Sequence, residues 1–535
     1  MYWADELATR VSGPQVVNDS KTPSGTIHVG SLRGPVTLDV IARALRDRGL
    51  ETTLLYGIDD LDPMDTQSLL TGDAVERSLG VPLAHVPDPA ADGHASYARH
   101  FAGLFIDTFD RLGIHPDRYY WMSEVYAEGG MDQYVRIALD RAQVIRDIYR
   151  EVSQVERPPG WLPVHVVCPT CGRIGTTLAS DWNGETVAFS CLPDLVEWAR
   201  GCGTKGRLAP FGGAGKLPFN VDWAARWSLL GVTIEPCGKD LATAGGSRDR
   251  ADTIARRVFE REPPVRVDYE FLNIRGQKMS TSRGRGAAAH EMAEILPPDQ
   301  LRLLFLRPRP NQAIEFDPHG SDAIPRLFDE FDRLAAAVAG RPFRGELSPD
   351  YERVFAMSLP VDADAAVEAA AYRPPFAHLA FLLQVPGADV AARVEAEKGM
   401  TLTDRERAIL DERVVAARAW LDQYAPERAR VAVHDELPST VAELDAQQRA
   451  FLSALADRLT GEGAGQSWTG DDLQGAVFDV AREQNVPPAG AFAALYSAFL
   501  GRANGPRAGW LLASLAPDFV RERLRTAGDA ARVRP

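Results

Sequence analysis

The spacing of apolar positions changes twice within the first sixty residues. An apolar pair, Val16-Val17, runs into the glycine-rich stretch KTPSGTIHVGSLRG. The period then becomes helical over residues 36–48, with Val36, Val40, Ile41 and Leu45 on one face and Gly49 as the stop. A short run from Thr52 to Tyr56 reads as a buried strand that leads into the acidic loop GIDDLD. Strand, glycine turn, helix and strand make the opening βαβ unit of a doubly wound sheet.

Residues 95–150 read as helical, most strongly over YVRIALDRAQVIRDIYR. From about residue 158 proline, glycine and cysteine take over, and helix and strand signals then return through 290. Beyond about 320 nearly everything reads as helix, broken near Pro374-Pro375, Gly461–Gly465 and Pro487-Pro488. There is no internal repeat. The expected fold is therefore α/β, a Rossmann-type doubly wound parallel sheet with an inserted cysteine-containing segment and an all-α C-terminal region. The expected boundaries are 1–160 and 216–320 for the two halves of the Rossmann domain, 161–215 for the insertion and 321–535 for the helices.

Composition narrows the class. Apolar content of 45% and charged content of 25% are those of an ordinary globular protein. No apolar run approaches 18 residues, and MYWADELATR has acids where a signal peptide would be basic, so a cytoplasmic protein with no membrane partner is expected. A net charge of −15 tells against a non-specific nucleic-acid coat but leaves room for RNA binding through a local basic patch. Only six of the 59 basic residues are lysine: Lys21, Lys205, Lys216, Lys239, Lys278 and Lys398. Each lysine is thus a flag for a position that needs a compact ammonium.

Two stretches carry candidate chemistry. In the first, Pro23 and Gly25 set a tight turn, and Gly30 lets a ligand approach the backbone N–H groups at a helix start, where the dipole favours anions. His28 can donate to a phosphate oxygen, and Ser31 adds a hydroxyl. The second is GQKMSTSRGRG, in which Ser280, Thr281 and Ser282 surround Lys278, with Arg275, Arg283 and Arg285 nearby and no acid. A glycine-bounded loop of this kind suits a clamp on a triphosphate, its lysine stabilising charge as pyrophosphate leaves. A structural turn around a buried histidine and a solvated basic loop are the competing readings of the two stretches.

Together the stretches resemble the HIGH and KMSKS signatures of class I aminoacyl-tRNA synthetases, written here as His28-Val29-Gly30-Ser31 and Lys278-Met279-Ser280-Thr281-Ser282. Ser31 replaces a histidine and Thr281 a lysine, with Arg283 a candidate substitute. Gly238-Lys239-Asp240 is similar to the loop of this class whose glycine and aspartate contact the ATP ribose. More widely, TPSGTIHVG, GKLPFNVDWAARW, YEFLNIRGQKMS and WLDQYAPE resemble the class I lysyl-tRNA synthetases, and ALYSAFLGRANGPRAG resembles the end of a helical anticodon cage.

The resemblance implies ATP-dependent ligation of L-lysine to its tRNA through a lysyl-adenylate, with ATP taken up with Mg2+ and no role for DNA. It implies His28, Ser31 and Lys278 as catalytic groups, and Gly25, Gly30, Gly238, Asp240, Ser280 and Ser282 as further ATP contacts. For the lysine pocket it implies Ser20, Thr22, Tyr269 and an aromatic from Phe219, Trp223 or Trp227, of which Trp223 is preferred. Two positions depart from the family: Ser20 stands where a glycine is usual, and Leu241 where a histidine is. The acids Asp59, Asp60 and Asp62 of GIDDLD suit a cationic substrate side chain, Asp59 foremost, and are equally compatible with a solvated loop or helix cap. The helices after 320 would hold the anticodon stem.

Cys168-x2-Cys171 with Gly172 reads as a zinc-knuckle turn, and Cys191 with Cys202 as its second pair, although ten residues separate them where two are usual. His165 is a reserve ligand, and Cys237 reads as a buried thiol. A knuckle that has lost its metal is the alternative. Asp88, Asp92, His94 and His100 form a second candidate group; the family binds zinc near an equivalent His-x5-His. Spacing of six does not place both histidines on one helical face, so His94 would have to precede the helix. The alternative is a capping aspartate with surface histidines. Three other functions compete: a synthetase for another amino acid in the glutamate-like subclass, a nucleotidyl transferase on the same fold, and a non-catalytic RNA-binding paralogue.

Overall fold

Five parallel strands carry the first part of the chain: β1 (Gln15–Lys21), β2 (Thr52–Ile58), β3 (Arg118–Trp121), β4 (Ile234–Gly238) and β5 (Val265–Tyr269). The computed structural model describes residues 1–65, 70, 72–274, 276–278, 287–385, 389–461 and 468–530. The strand order is β5-β4-β1-β2-β3, so the winding reverses between β1 and β4. β1 and β2 pair along their whole length, from Gln15 opposite Thr52 to Lys21 opposite Ile58. This is the doubly wound arrangement, in which ligands bind beyond the carboxyl ends of the strands at the reversal.

Between β1 and β2 runs α1 (Arg33–Asp47). Val36, Val40, Ile41 and Leu45 are all fully buried, as its period requires, and so is Leu38. The helix is covered on more than one side, which explains why its apolar positions exceed a single stripe. α2 (Phe219–Leu230) and α3 (Ser247–Arg257) flank β4 in sequence and pack on each other.

Between β3 and β4 lies the cysteine-containing segment. Its core is a three-stranded antiparallel sheet, Thr177–Ser180, Val187–Cys191 and Lys205–Leu208, and a two-residue pair joins His165–Val166 to Gly215–Lys216.

The chain divides into two compact units, 1–317 with 340–365, and 318–339 with 366–535. Sequence reading gave one boundary, at 321; residues 340–365 instead cluster with the first unit. The cause is arginine chemistry. Arg43 donates to the carbonyls of Ala356, Met357 and Leu359, and buried Arg302 donates to Met357 and to Asp39. Arg353 reaches back to Asp5 and Asp47. The regular elements described in the second unit are all helices, and its helix Pro488–Leu500 is buried at Ala491, Ala494, Leu495, Ala498 and Phe499. No helix among the described residues is long and apolar enough to cross a membrane.

Candidate active site

A cavity of about 380 Å3 opens at the carboxyl ends of β1 and β4, where the winding reverses. β1 and the turn after it contribute Asp19, Ser20, Lys21, Thr22, His28, Gly30 and Ser31. The ends of the other strands supply Asp59, Gly238, Asp240 and Tyr269, and α2 adds Phe219 and Trp223. The sequence therefore brings Ser20, Thr22, His28, Gly30, Ser31, Asp59, Trp223, Gly238, Asp240 and Tyr269 to one place. Gly25 lies in the turn beside Ser24 and does not line the cavity. Lys278 pairs through its backbone with Asn273; its side chain, and Ser280, Thr281, Ser282 and Arg283, lie outside the described residues.

The wall expected to take the nucleotide is built on close approach. His28 precedes a single 3-10 turn, Val29–Leu32, which leads into α1. The imidazole lies over Gly30, where a Cβ would meet its Nδ1 at 3.0 Å. A Cβ on Gly34 would likewise collide with the Asp19 carboxylate and the Tyr269 hydroxyl. Val29 N–H donates to Ala287 O (2.9 Å), and Ala289 N–H to Ile27 O (2.8 Å), so the segment that follows the Lys278 loop is stitched to the histidine turn.

Arg33, 1% exposed, completes that stitch, and sequence reading passed over it. Its guanidinium donates to the carbonyls of Glu270 (2.8 Å), Arg309 (3.1 Å), Pro310 (3.1 Å) and Gln312 (2.8 Å). One buried cation thus fixes the first motif against the strand leading into the second. The signal available was an arginine in a helix start that should favour anions.

At the other wall the acids of GIDDLD are already matched. Asp59 accepts from Arg226 Nη1 (2.6 Å) and from the Ser20 hydroxyl (3.0 Å). Asp60 accepts from the Ser123 N–H (2.8 Å), and Asp62 from the Thr22 hydroxyl (2.7 Å) and from Lys216. Asp59 reaches the cavity, but a guanidinium shares its charge. Lys216 is a buried structural ammonium, and Lys239 pairs with Glu270 (2.7 Å) at the surface. The lysine scarcity therefore flagged two ion pairs as well as the site.

Two further carboxylates face the cavity, Glu235 and Asp19, both missed in the sequence, and no described basic side chain is bonded to either. Glu235 accepts from Asn18 Nδ2 (3.1 Å), Trp223 Nε1 (2.9 Å) and the indole of Trp227. Its carboxyl is raised above the ordinary range by burial. Trp227 is fully buried and acts as core, whereas Phe219 and Trp223 stack at 5.3 Å on the cavity wall. Asp19 is pushed up to about 8, by burial and then by Glu235. The available signal was an acid inside an otherwise apolar strand, TIEPCG.

Cys168, Cys171, Cys191 and Cys202 converge, their sulfurs all within 4.8 Å of one another. The ten intervening residues loop out: Gly203 N–H donates to Cys191 O (2.9 Å) and Gly201 N–H to Leu192 O (3.2 Å), which returns Cys202 to the position a two-residue spacer would give. Hydrogen bonding to Thr204 brings the Cys202 thiol down to about 6. Four sulfurs at this spacing fit a tetrahedral zinc. His165 is exposed and stands outside the cluster. Cys237 is buried in β4, its thiol pushed up to about 12 by burial.

Asp88, Asp92, His94 and His100 also converge within 4.8 Å. The helix Tyr97–Arg111 is capped by Ser96, so His94 precedes it and His100 sits on its first turn. His100 Nδ1 is buried without a hydrogen-bond partner, 3.5 Å from Asp88 and 3.3 Å from Asp92, a donor set that fits a zinc ion.

Comparisons with known proteins identify the family. Residues 1–358 match the family described as tRNA synthetases class I (K). The chain is 34% identical over 534 residues to the lysine–tRNA ligase of Archaeoglobus fulgidus, covering 98% of this chain and 100% of the relative. It is 33% identical over 548 residues to that of Methanosarcina barkeri, covering 99% and 98%, and 33% identical over 526 residues to that of Thermoplasma acidophilum, covering 98% of each. With its parallel sheet, its cavity at the winding reversal and a family match over more than half its length, the chain belongs to the class I lysyl-tRNA synthetases.

Proposed function

We propose that the cavity at the ends of β1 and β4 binds L-lysine and ATP side by side, and that the chain ligates the lysine to tRNA. One observation carries this reading: His28, Gly30, Ser31, Gly238 and Asp240 share a single cavity with Trp223, Glu235 and Tyr269. His28, Ser31 and the Gly30 backbone take the triphosphate, joined by Lys278, Ser280 and Ser282 of the loop that follows. Gly238 and Asp240 hold the ribose. Ser20, Thr22, Tyr269 and Trp223 shape the lysine pocket. Glu235, with Asp59 backed by its arginine, supplies the negative field for the ε-ammonium, and the Trp223 face flanks it.

The lysine carboxylate attacks the α-phosphorus in line; a P–O bond forms as the bond to the bridging oxygen breaks, and pyrophosphate leaves. A hydroxyl of the terminal adenosine of the tRNA then attacks the adenylate carbonyl and AMP departs. Neither step requires a covalent bond to the enzyme; positioning and charge stabilisation suffice. Magnesium bound with the nucleotide spreads the charge of its phosphates. Zinc, held by the four cysteines, would fix the knuckle. The helical unit binds the anticodon stem and reads unpaired bases.

ATP–pyrophosphate exchange across all twenty amino acids, run with and without tRNA, tests the reading. Lysine-dependent exchange that falls at least a hundredfold in Lys278→Ala is expected, the scale on which a transition-state charge contact acts. Exchange with another amino acid, or none, would refute the lysine assignment, and unchanged exchange in the variant would remove Lys278 from the clamp.

A further inference from the structure

Asn18 follows the apolar pair Val16-Val17 in β1, and its side chain is fully buried. A buried amide needs an acceptor for its NH2 and a donor for its carbonyl. Its Nδ2 donates to Glu235 Oε1 at 3.1 Å, on the neighbouring strand β4. Its Oδ1 accepts from the Tyr120 hydroxyl at 2.9 Å. Tyr120 belongs to β3, and β2 lies between β3 and β1. The ring crosses β2 at Gly57, the residue that pairs with both Ser20 and Tyr120. A Cβ on Gly57 would collide with the Tyr120 ring and hydroxyl. The glycine of GIDDLD therefore serves close approach rather than a turn.

The direction of these bonds is fixed. An ionised Glu235 only accepts, so the amide must turn its NH2 toward it. The Asn18 carbonyl then needs a donor, which the Tyr120 proton supplies. Arg226 also bonds the Tyr120 oxygen and can only donate, so that proton has Asn18 as its acceptor. The donors run one way, from Arg226 to Tyr120 to Asn18 to Glu235. Reversing the amide would set its carbonyl against the Glu235 carboxylate and strand the Tyr120 proton.

The remaining donors to Glu235 are Trp223 Nε1, at 2.9 Å, and the Trp227 indole. Together the three fill all but one of a carboxylate's roughly four acceptor positions and fix its plane. Around it stand Asp19 on β1, Asp59 just past β2, Arg226 on α2 and Arg248 on α3. The Arg248 guanidinium lies over the Trp223 and Trp227 rings, at 5.5 and 4.7 Å. Burial raises the Glu235 carboxyl, and donors to its charged form oppose that rise.

The geometry points to Asn18 and Tyr120 as positioning residues for substrate selection. They hold the Glu235 carboxylate in the orientation that meets an ammonium, and so set the preference for lysine over a side chain of equal length with a neutral end. Neither residue lines the cavity, so both act through Glu235. This rests on the proposed lysine ligation, in which Glu235 meets the ε-ammonium.

Lysine-dependent ATP–pyrophosphate exchange by the full chain tests it, with hydroxynorleucine, in which a hydroxyl replaces the ammonium, as competing inhibitor. Tyr120→Phe keeps the ring and removes one oxygen. It should raise the lysine KM about tenfold, the scale of one lost buried hydrogen bond, and leave kcat and the ATP KM unchanged. Hydroxynorleucine should weaken far less, so the discrimination between the two narrows. Asn18→Leu takes a donor from Glu235, so the rise in lysine KM toward acid should begin at a higher pH than in wild type. In a Glu235→Gln chain, Tyr120→Phe should add nothing to the lysine KM. Thermal denaturation checks that each variant is folded.

A lysine KM unaltered by Tyr120→Phe and Asn18→Leu would overturn the assignment. So would equal weakening of lysine and hydroxynorleucine, or additive effects of Tyr120→Phe and Glu235→Gln, since either would make the two residues structural supports only. A wild-type chain with no lysine-dependent exchange would instead sink the ligation reading itself.

Discussion

Arg226 and Asp59 form an ion pair at 2.6 Å with side chains 1% and 5% exposed, directly behind the proposed lysine pocket. Arg226 also holds Asp222 at 3.0 Å, one turn away on α2. The pair ties the end of β2 to α2, whereas the bonded partners of Glu235 are all neutral. Arg226→Met should therefore cost about 3–5 kcal/mol of stability, because two carboxylates lose their buried counter-ion. Urea denaturation measures it.

The same pair separates the roles of two acids. Glu235→Gln should raise the lysine KM more than tenfold while altering the ATP KM little, since one neutralised charge beside a desolvated ammonium is worth more than about 1.4 kcal/mol. Asp59→Asn should affect stability more than lysine KM. Steady-state aminoacylation with lysine and ATP varied in turn distinguishes them, and the reverse ranking would move the ammonium site to Asp59.

Much of this site could be read from the sequence because its parts are local. His28, Gly30 and Ser31 are neighbours, and a glycine turn before a helix leaves backbone N–H groups open to an anion wherever it occurs. What could not be read depends on partners distant in the chain. That Asp59 is answered by Arg226, or Asp62 by Lys216, follows from strand order and appears in no local pattern. Arg33 was invisible for the same reason: its acceptors are carbonyls, which every residue has. The return of 340–365 to the first unit was hidden because an amphipathic helix reads the same whichever core it serves.

Arg33 carries a prediction of its own. Its guanidinium satisfies carbonyls at Glu270, Arg309, Pro310 and Gln312, on both sides of the Lys278 loop. Arg33→Met should cost about 3 kcal/mol or more, as several buried acceptors lose their donor. The variant should lose kcat for exchange beyond what the drop in stability explains, because the two motifs would no longer be held in register. Thermal denaturation and exchange measured well below the transition report the two effects separately.

Metal content tests the two clusters independently. The purified chain should carry two zinc ions per molecule by elemental analysis if both are filled, and His100→Ala should leave one. Cys171→Ser should remove the other and lower the midpoint of thermal unfolding, since a structural zinc contributes folding free energy directly. Thiol titration after chelation should then expose the four clustered cysteines before Cys237, because loss of the metal loosens the knuckle that buries Cys168 and Cys191, whereas Cys237 is buried in β4 of the central sheet. A metal content unchanged by His100→Ala would make the second cluster a hydrogen-bonded turn.

Asp19 gives a pH dependence whose sign is fixed by its surroundings. Its carboxyl is pushed from 3.8 up to about 8, by burial first and the Glu235 charge second. Between those values the folded chain keeps a proton that the unfolded chain has released, so this group makes the fold less stable as pH rises through the window. Below about 4 both states are protonated, and above about 8 both are ionised, so the contribution is flat outside it. Asp19→Asn removes the titration while keeping the shape. The variant's melting temperature relative to wild type should therefore climb from pH 4 to pH 8 and level off above. Thermal denaturation of the ligand-free chain at pH 5, 7 and 9 reads it, and a constant difference would mean that Asp19 is ionised throughout, beside Glu235, in the lysine pocket.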